Sequence, residues 1–428
     1  MTAVQVTGDG TRPPALSPSV EAILVGALGT LASLLFRGFE GGRWSDIPIF
    51  RSFVDPRLYL NDPFIQTLHE GTPAAYTYRF IAAAIGALPW LPLNGALFLL
   101  FVPASIASLA LAYRIVRLLV GDRISAILFL ALYVSGFRLL TVGSPILHSA
   151  ELTPAFLALP LQLGALYAFL RERHALTGVV AGLAVVVHAP TSSYVGLAIG
   201  LAYLIRVRHY GVKNVALAGL LMLLCSAPTV IGAALQHAEP LPGWALQLAR
   251  IELATDLSVA VNWTRGGFLL YNAVGGLLLV AGLVYAPADD RRRTVLALFG
   301  AVVVMCAVAF LFIDVSLRGA ISTLVARLQL PRAAWVVDVL GLVYLADLLR
   351  RAWAERLAPR PLIAILVGAL LVSPSDFAPL EPIWLVAGPL FLIALPLLDR
   401  LPANRRRPAE VGLTAVAVVA VLAAAGGR

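Results

Sequence analysis

The stretch VEAILVGALGTLASLLFR, residues 20–37, carries one acid near its start, one arginine at its end and only apolar or small residues between them. About 20 such residues cross a hydrocarbon core of roughly 30 Å as an α-helix. Similar blocks recur along the 428-residue chain, which is 60% hydrophobic and only 13% charged. Soluble domains average about 25% charged residues. The sequence therefore predicts an all-α, polytopic transmembrane helix bundle.

We expect about 13 spans, within a range of about 11–14. They are predicted at 20–37, 93–113, 124–142, 153–170, 175–189, 192–206, 214–235, 266–286, 294–313, 333–349, 361–375, 380–397 and 410–426. The apolar stretch 80–92 is expected to be re-entrant or interfacial. Residues 1–19, with three prolines, are typical of a flexible cytoplasmic tail, and 20–428 of a single integral membrane domain.

The basic residues set the predicted orientation. Six loops, every second one along the chain, hold 19 of the 32 basic residues when the N-terminus is cytoplasmic. These loop residues are Arg114, Arg117, Arg123, Arg171, Arg173, Arg206, Arg208, Lys213, Arg291, Arg292, Arg293, Arg350, Arg351, Arg356, Arg360, Arg400, Arg405, Arg406 and Arg407. This alternation follows the positive-inside rule. The net charge of +9 forms no basic face, so we expect no nucleic-acid partner.

The source compartment follows from composition. Lys213 is the sole lysine among the 32 basic residues, and Ala, Leu and Val are abundant, a bias typical of a GC-rich bacterial genome. We therefore expect a multi-pass protein of the bacterial inner (plasma) membrane, in contact with membrane lipids. Cys225 and Cys306 fall inside apolar runs and are expected to pack as small hydrophobic residues.

The first outer loop, 38–79, is the longest polar segment. Ile47, Phe50 and Phe53 are spaced for the apolar stripe of a helix lying in the membrane interface. Ser45 is placed to cap this helix, with Asp46 in its first turn, and Asp55 and Asp62 each precede a proline, as N-cap residues do. Helix capping is therefore one interpretation of all three aspartates. The other interpretation is a catalytic carboxylate that deprotonates an acceptor hydroxyl. Asp46 is nine residues beyond the first predicted span and would lie near the bilayer surface.

Two further outer segments carry candidate binding residues. His148 and Glu151 are three apart and would share a helix face at the mouth of the next span. Two ligands of this kind are too few for a metal site, and a helix cap with a first-turn carboxylate is the alternative. His188 closes one span before Pro190, where a histidine is either structural or in contact with substrate.

The late outer loop 314–332 and the span after it add cationic and buried charge. Arg327 and Arg332 have no acid four residues away, so they either bind a lipid-linked phosphate or reach toward headgroups. Asp338 falls within the next span, where an ionisable residue is costly and is a functional candidate by default. The outer loop 236–265 contains Trp244, Leu248 and Ile251, which predict a second interfacial helix.

The first-loop motif DPRLYLNDPF, residues 55–64, carries a resemblance to a known family. The chain resembles bacterial members of the GT-C superfamily of polytopic glycosyltransferases, whose first outer loop reads xDPxLYxNDxF. The matching residues are Asp55, Pro56, Leu58, Tyr59, Asn61, Asp62 and Phe64. Such proteins have one span, a large outer loop with interfacial helices and an acid, and then a series of short-looped spans.

The resemblance implies transfer of a sugar from a polyprenyl-phosphate donor to a glycan, lipid or protein acceptor on the non-cytoplasmic face, with inversion. It also implies that a first-loop carboxylate is the base, with Asp46 the closest positional match and Asp62 second. A late arginine would bind the donor phosphate, and Arg57 is a further substrate-binding candidate. The chain departs from some members of the family in having no D-x-D or E-x-D pair in an outer loop, and its adjacent acids Asp289 and Asp290 lie on the cytoplasmic side. We therefore predict no cofactor, with a divalent metal as the alternative.

A different class of function also fits a polytopic chain. A multi-pass transporter or lipid flippase would place ionisable residues along several spans, and Asp338 is the clearest acid of that kind. A non-catalytic scaffold would make the outer-face residues incidental. The enzyme interpretation requires Asp46 or Asp62 to face Arg327 or Arg332 across an outer cavity.

Overall fold

The computed structural model describes residues 17–42, 46–62, 65, 69, 75–88, 90–135, 150–235, 276, 279–280, 282–283, 286, 289–316 and 333–355. Its helices are α1 Pro18–Arg37, α2 Ile47–Val54, α3 Ala75–Gly86, α4 Leu93–Leu119, α5 Arg123–Ser135, α6 Pro154–Leu170, α7 His174–Val187, α8 Ala189–Ile205, α9 Val207–Tyr210, α10 Val212–Leu235, α11 Asp290–Ser316 and α12 Ala334–Ala354. Two short strands, β1 Gly41–Gly42 and β2 Glu151–Leu152, complete the described elements.

Local sequence signals start the helices where expected. Ser17 caps α1 by accepting a hydrogen bond from the Val20 amide, and Pro18 occupies the first turn, where its missing N–H costs nothing. Thr153 caps α6 in the same way through the Phe156 amide at 3.1 Å. Gly38 ends α1 at a positive φ of 75°, a conformation that glycine adopts without strain.

Among the described residues, three helices are long and apolar enough to cross a membrane: Pro18–Phe36, Leu93–Leu119 and Val212–Gly232. Shorter apolar helices cover Arg123–Val134, Pro154–Leu170, His174–Val187 and Ala189–Ile205. The predicted helical positions are thus confirmed for these segments. The total of about 13 spans stays a prediction, because the spans expected at 361–375, 380–397 and 410–426 lie outside the described residues.

Apolar side chains cover much of the outer surface of α10. Leu220, Leu223 and Leu224 are each at least 56% exposed. Neighbouring leucines exposed to this extent are rare on soluble monomers, and they suit contact with lipid tails. The described helices are therefore those of a membrane protein.

The opposite face of α10 packs closely against α7. A Cβ added at Gly182 would lie 2.6 Å from the Met222 carbonyl oxygen and 2.6 Å from the Cys225 Cβ, and one at Gly178 would overlap the Ala218 carbonyl. The two glycines, four residues apart, let the helix backbones approach closely, as small residues do between membrane helices.

Ion pairs gather at one end of the bundle, which we call the arginine end. Glu21, at the start of α1, pairs with Arg117 at 3.5 Å and Arg123 at 3.0 Å. Asp122, next to Arg123, pairs with Arg350 at the end of α12. These contacts bring the start of α1, the end of α4 and the end of α12 together.

The start of α11 belongs to the same end. Arg206 pairs with Asp290 at 3.1 Å, and Arg291 donates to the Leu118 carbonyl at 3.0 Å. Arginines that the sequence assigns to one side of the membrane therefore meet at one end of the bundle. That this end is cytoplasmic stays a prediction.

The opposite end, which we call the loop end, joins the first loop to the segment before α6. β1 pairs with β2 in parallel, with Gly41 opposite Glu151, and the Glu40 amide donates to the Ala150 carbonyl. The prediction that Glu151 shares a helix face with His148 is wrong, because Glu151 lies in β2. Pro154 explains the difference, since a residue preceding proline is driven to extended backbone and α6 can begin only after Thr153.

The apolar stripe of α2 also differs from expectation. Phe50 is fully buried, and its ring lies 5.4 Å from the Tyr78 ring of α3. Phe50 belongs to a core cluster with Leu97 and Phe101 of α4. The stripe is thus mainly a packing face against the protein and not a lipid-facing surface. α3 in turn begins at Ala75, earlier than the expected apolar stretch 80–92.

Candidate functional site

Asp46 lies at the loop end, between β1 and α2. It occupies the N-cap position of α2 but makes no side-chain capping bond, and it is only 9% exposed. Its Oδ1 accepts a hydrogen bond from the Tyr78 hydroxyl at 3.1 Å. The capping interpretation therefore does not account for the Asp46 side chain, which is held instead by α3.

α3 connects Asp46 to the α7–α8 junction. Tyr78 contacts Asp46, and its neighbour Thr77 donates its hydroxyl to the Val187 carbonyl at the end of α7. His188 follows directly. One turn of α3 thus brings Asp46 and His188, 142 positions apart in sequence, to the same end of the bundle.

His188 is both the last cap of α7 and the N-cap of α8. Its Nδ1 lies 2.7 Å from Thr191 Oγ1 and accepts from the Thr191 amide at 3.4 Å. Gln162 of α6 donates to Thr191 Oγ1 at 2.8 Å and to Ser192 Oγ at 2.9 Å. Because the Thr191 amide donates to Nδ1, that nitrogen is unprotonated, and a neutral ring carries its proton on Nε2.

Glu151 is held near Asp46 by backbone pairing between β2 and β1. Its pairing with Gly41 sets β2 beside the strand that leads into Asp46. Glu151 is partly exposed. Asp46, Glu151 and His188, all three predicted from the sequence, therefore lie on elements that converge at the loop end.

Asp62 is held differently from Asp46. Its Oδ1 accepts the Ile65 amide at 3.1 Å, the bond of a helix cap. Asp55 accepts the Arg57 amide at 3.0 Å in a similar local turn. Asp62 thus makes the bond expected of a helix cap, whereas the expected cap is wrong at Asp55, because residues 56–61 form a turn and not a helix. Asp62 also lines a surface concavity of about 650 Å³ with Arg57, Tyr59, Leu60 and Asn61.

α2 separates the two candidate bases. Asp46 precedes its first residue, and residues 55–62 follow its last. Eight residues of helix span about 12 Å. The two carboxylates are therefore separate candidates for the base, one before α2 and one after it.

Asp338 lies on α12 and is 1% exposed. Neither of its carboxylate oxygens has a hydrogen-bond partner in the part of the chain that the structure describes. The expected partner Arg332 falls outside that part. The burial predicted for Asp338 is confirmed, and a role in binding substrate stays a prediction.

Three sequence candidates, His148, Arg327 and Arg332, lie outside the described residues, as do the loops 236–265 and 317–332. The expected meeting of Asp46 or Asp62 with Arg327 or Arg332 therefore stays a prediction. Among the described ranges, no three His, Cys, Asp or Glu side chains are grouped so as to hold a metal ion.

The sequence did not single out an aromatic and cationic cluster beside α2. The His69 ring lies 4.2 Å from the Phe53 ring, and His69 Nε2 lies 3.1 Å from Ser52 Oγ. Arg79 donates to the His69 carbonyl and lies 5.7 Å from the Phe53 ring centroid. Tyr78 and Gln162 were missed for the same reason: each acquires its role only through a tertiary contact. The one local signal was the run of polar residues in TYR, 77–79.

Comparisons with known proteins establish no family for this chain. No protein-family model matches it, and neither does any curated protein. A search of solved structures finds a crystal structure of ArnT from Cupriavidus metallidurans in the apo state, 15% identical, covering 95% of this chain and 75% of that chain with a TM-score of 0.43. This chain is similar to that structure at a level that does not establish a common fold.

Proposed function

We propose that the protein is a GT-C-like glycosyltransferase that moves a sugar from a polyprenyl-phosphate-linked donor to an acceptor on the non-cytoplasmic face of the bacterial inner membrane. In this proposal the arginine end and the N-terminus are cytoplasmic, as the positive-inside rule requires. The loop end then faces outward. The observation that carries the proposal is the buried Asp46 carboxylate, oriented by Tyr78 where α2, α3 and the β1–β2 pair converge.

Asp46 is proposed as the general base. An acceptor hydroxyl gives its proton to Asp46 while its oxygen bonds to the anomeric carbon of the sugar. The bond between that carbon and the donor phosphate breaks, and the lipid phosphate leaves with the electron pair. A positioned carboxylate contributes about 10²–10⁴-fold to such a step.

Asp46 is favoured over Asp62 by its surroundings. The Asp62 carboxylate is engaged in capping the turn at Ile65, whereas Asp46 makes no capping bond at its own helix. Burial of Asp46 against α3 limits competing water, which strengthens its electrostatic contribution. Asp62 is therefore the second candidate.

The remaining predicted residues are proposed to bind substrate. Arg327 and Arg332 would hold the donor phosphate by paired guanidinium hydrogen bonds. The other proposed binding residues are His148, Glu151, His188, Arg57 and Asp338. The outer loops 38–79, 236–265 and 314–332 would together enclose the reaction.

Turnover of a labelled donor tests the proposal. The full chain in nanodiscs would be incubated with radiolabelled polyprenyl-phosphate sugars and a membrane-lipid extract as acceptor source. We expect transfer by the wild type and by Asp55→Asn, and a loss of about 10²-fold or more in Asp46→Asn. Equal turnover in Asp46→Asn would exclude Asp46 as base, and loss only in Asp62→Asn would transfer that role to Asp62. Absence of turnover with every donor would contradict the proposed function.

One observation favours a transporter or lipid flippase as the second candidate. Asp338 is buried on a predicted span and lacks a hydrogen-bond partner within the described ranges, as a substrate- or ion-coupling acid can. Proteoliposomes with a fluorescent polyprenyl-phosphate analogue measure this activity directly. Flipping by the wild type that is lost in Asp338→Asn supports the second candidate, and its absence contradicts it.

A further inference from the structure

The surface concavity after α2 has the composition of a ligand site. Arg57, Tyr59, Leu60, Asn61 and Asp62 line a space of about 650 Å³. Ligand pockets commonly enclose about 300–1,000 Å³ and combine a few convergent polar groups with aromatic or apolar surface. This space lies at the loop end, beyond the end of α2 that is farther from Asp46.

Two polar side chains in the lining have unused hydrogen-bonding capacity. Within the described residues, the Arg57 guanidinium and the Asn61 amide make no side-chain hydrogen bond or ion pair. Together they offer several N–H donors and one carbonyl acceptor. The Asp62 carboxylate, which accepts the Ile65 amide through Oδ1, adds a negative charge to the lining.

Tyr59 presents its side chain through an unusual backbone. Its φ is +62°, in the left-handed region that bulky residues rarely adopt, and it is 38% exposed. Hydrogen bonds from the Leu58 amide to the Asp55 carbonyl and from the Asp62 amide to the Tyr59 carbonyl hold this turn. The turn therefore keeps an aromatic ring in the lining at a position where glycine would be the unstrained residue.

The charges decide which ligand chemistry fits. One guanidinium and one carboxylate leave the lining formally neutral, and Asp62 disfavours a phosphate or another carboxylate. A lipid chain offers no hydrogen-bond partner to the guanidinium and amide of the lining, which disfavours a lipid chain as the ligand. The lining combines hydrogen-bond donors and acceptors with an aromatic face. A neutral saccharide matches both features, because it has many hydroxyl groups and an apolar ring face.

We infer that residues 57–62 bind a neutral saccharide portion of the acceptor. This inference rests on the proposed function, because it names the acceptor as sugar-bearing and assigns its recognition to a subsite separate from Asp46. Asp62 then serves binding through its carboxylate while Asp46 removes the proton. The two first-loop aspartates have different roles on either side of α2.

Saccharide binding without donor tests the inference. Saturation-transfer difference NMR would be recorded on the full chain in phosphatidylethanolamine–phosphatidylglycerol nanodiscs, which avoids maltoside detergent. The probes are cellobiose, maltose and mannobiose, with glucuronic acid and glucose 1-phosphate as anionic comparisons. We expect millimolar binding of at least one neutral disaccharide and weaker signals from the anionic sugars.

Paired variants separate the lining from the overall fold. Tyr59→Gly removes the ring but relieves the left-handed backbone, so it preserves the turn, and Tyr59→Phe keeps the ring. Arg57→Gln removes the lining guanidinium, and Arg51→Gln removes an exposed guanidinium of α2 that is not in the lining. We expect at least a tenfold loss of affinity in Tyr59→Gly and Arg57→Gln, and wild-type binding in Tyr59→Phe and Arg51→Gln.

Contrary outcomes are equally clear. Absence of neutral-disaccharide binding in the wild type, preference for the anionic sugars, or unchanged binding in both Tyr59→Gly and Arg57→Gln would each overturn the inference. Binding that depends on Tyr59 in a protein without glycosyl transfer would contradict the proposed enzyme and leave the saccharide site standing. Glycosyl transfer that depends on Asp46 but not on Tyr59 or Arg57 would support the proposed enzyme and contradict the saccharide site.

Discussion

The Tyr78 hydroxyl donates a hydrogen bond of 3.1 Å to Oδ1 of Asp46, linking α3 to the residue that precedes α2. The Tyr78 ring packs against Phe50, which is fully buried, so the hydroxyl is fixed by the core of this end of the bundle. The candidate base is therefore oriented by a residue 32 positions away. A buried, oriented carboxylate is better suited to catalysis than a freely rotating one.

Tyr78→Phe is expected to lower glycosyl transfer by about 10–100-fold, because a hydrogen bond to a charged group contributes about 1.5–3 kcal/mol. The measurement is the rate with a labelled polyprenyl-phosphate sugar under subsaturating donor. Tyr76→Phe is the matched control, since Tyr76 lies on the same helix and is 39% exposed. Equal rates in the two variants would mean that Tyr78 does not orient Asp46.

Asp122, at the arginine end, predicts a pH dependence of stability. Burial alone would raise the pKa of Asp122, but hydrogen bonds from the Ser125 amide and hydroxyl and the charge of Arg350 lower it below its ordinary value of 3.8. A carboxyl with a lowered folded-state pKa stabilises the protein above its unfolded pKa, and that stabilisation is lost as pH falls through the folded pKa.

We therefore expect the wild type to melt at a higher temperature than Asp122→Asn at pH 6. The difference should shrink as the pH is taken from about 4 toward 3. Differential scanning fluorimetry in nanodiscs measures the melting temperatures of both proteins across this pH range. A difference that is constant with pH would show that Asp122 stabilises the fold without its charge.

Asp347 holds the end of α12 to α5. It is 5% exposed, and its carboxylate lies 3.2 Å from Arg350, 2.7 Å from Arg351 and 3.3 Å from Ser125 Oγ. Asp347→Ala leaves two partly exposed guanidiniums without this partner, so we expect a loss of about 1–3 kcal/mol in unfolding free energy. Glu355→Ala, at an exposed position just after the same helix, is the control. Similar unfolding midpoints for the two variants in denaturant titrations would contradict this account.

Gly182→Val tests the close approach of α7 and α10. The added side chain would meet the Met222 carbonyl oxygen and the Cys225 Cβ, each 2.6 Å from the position of its Cβ. Overpacking of this kind costs about 1–3 kcal/mol. The control is Gly219→Val on α10, where nothing lies within 4 Å of the added Cβ. The melting temperature should fall in Gly182→Val well below that of Gly219→Val, and equal melting would argue against the packing described.

Orientation can be tested by cysteine labelling. In a chain with Cys225 and Cys306 replaced by alanine, Arg57→Cys is expected to react with a membrane-impermeant maleimide added outside the cell. Arg208→Cys, at the arginine end, should react only after the membrane is opened. Both positions are exposed, so access to the thiol is not limited by burial within the protein. The reverse pattern would invert the proposed topology and place the loop end in the cytoplasm.

The sequence alone predicted which segments are helical and which helix ends lie together. Apolar blocks of the length that crosses a membrane predicted α1, α4 and α10. The alternation of arginine clusters predicted that Arg123, Arg206 and Arg350 belong to one end, because orientation depends on the order of charges along the chain. These features depend on neighbours within a few residues or on a simple alternation.

The tertiary structure alone decided how the first loop is held. Periodicity identified the stripe of α2 correctly, but it cannot distinguish lipid from protein as the partner of Phe50, since both are apolar. Proline at 154 overrode the i, i+3 spacing expected of Glu151 and made it a strand partner of Gly41. The Asp62 cap is local, with its partner three residues away, but the bond that holds Asp46 to Tyr78 joins distant segments. One-dimensional spacing contains no information about such contacts, because they arise only when α3 packs against α2.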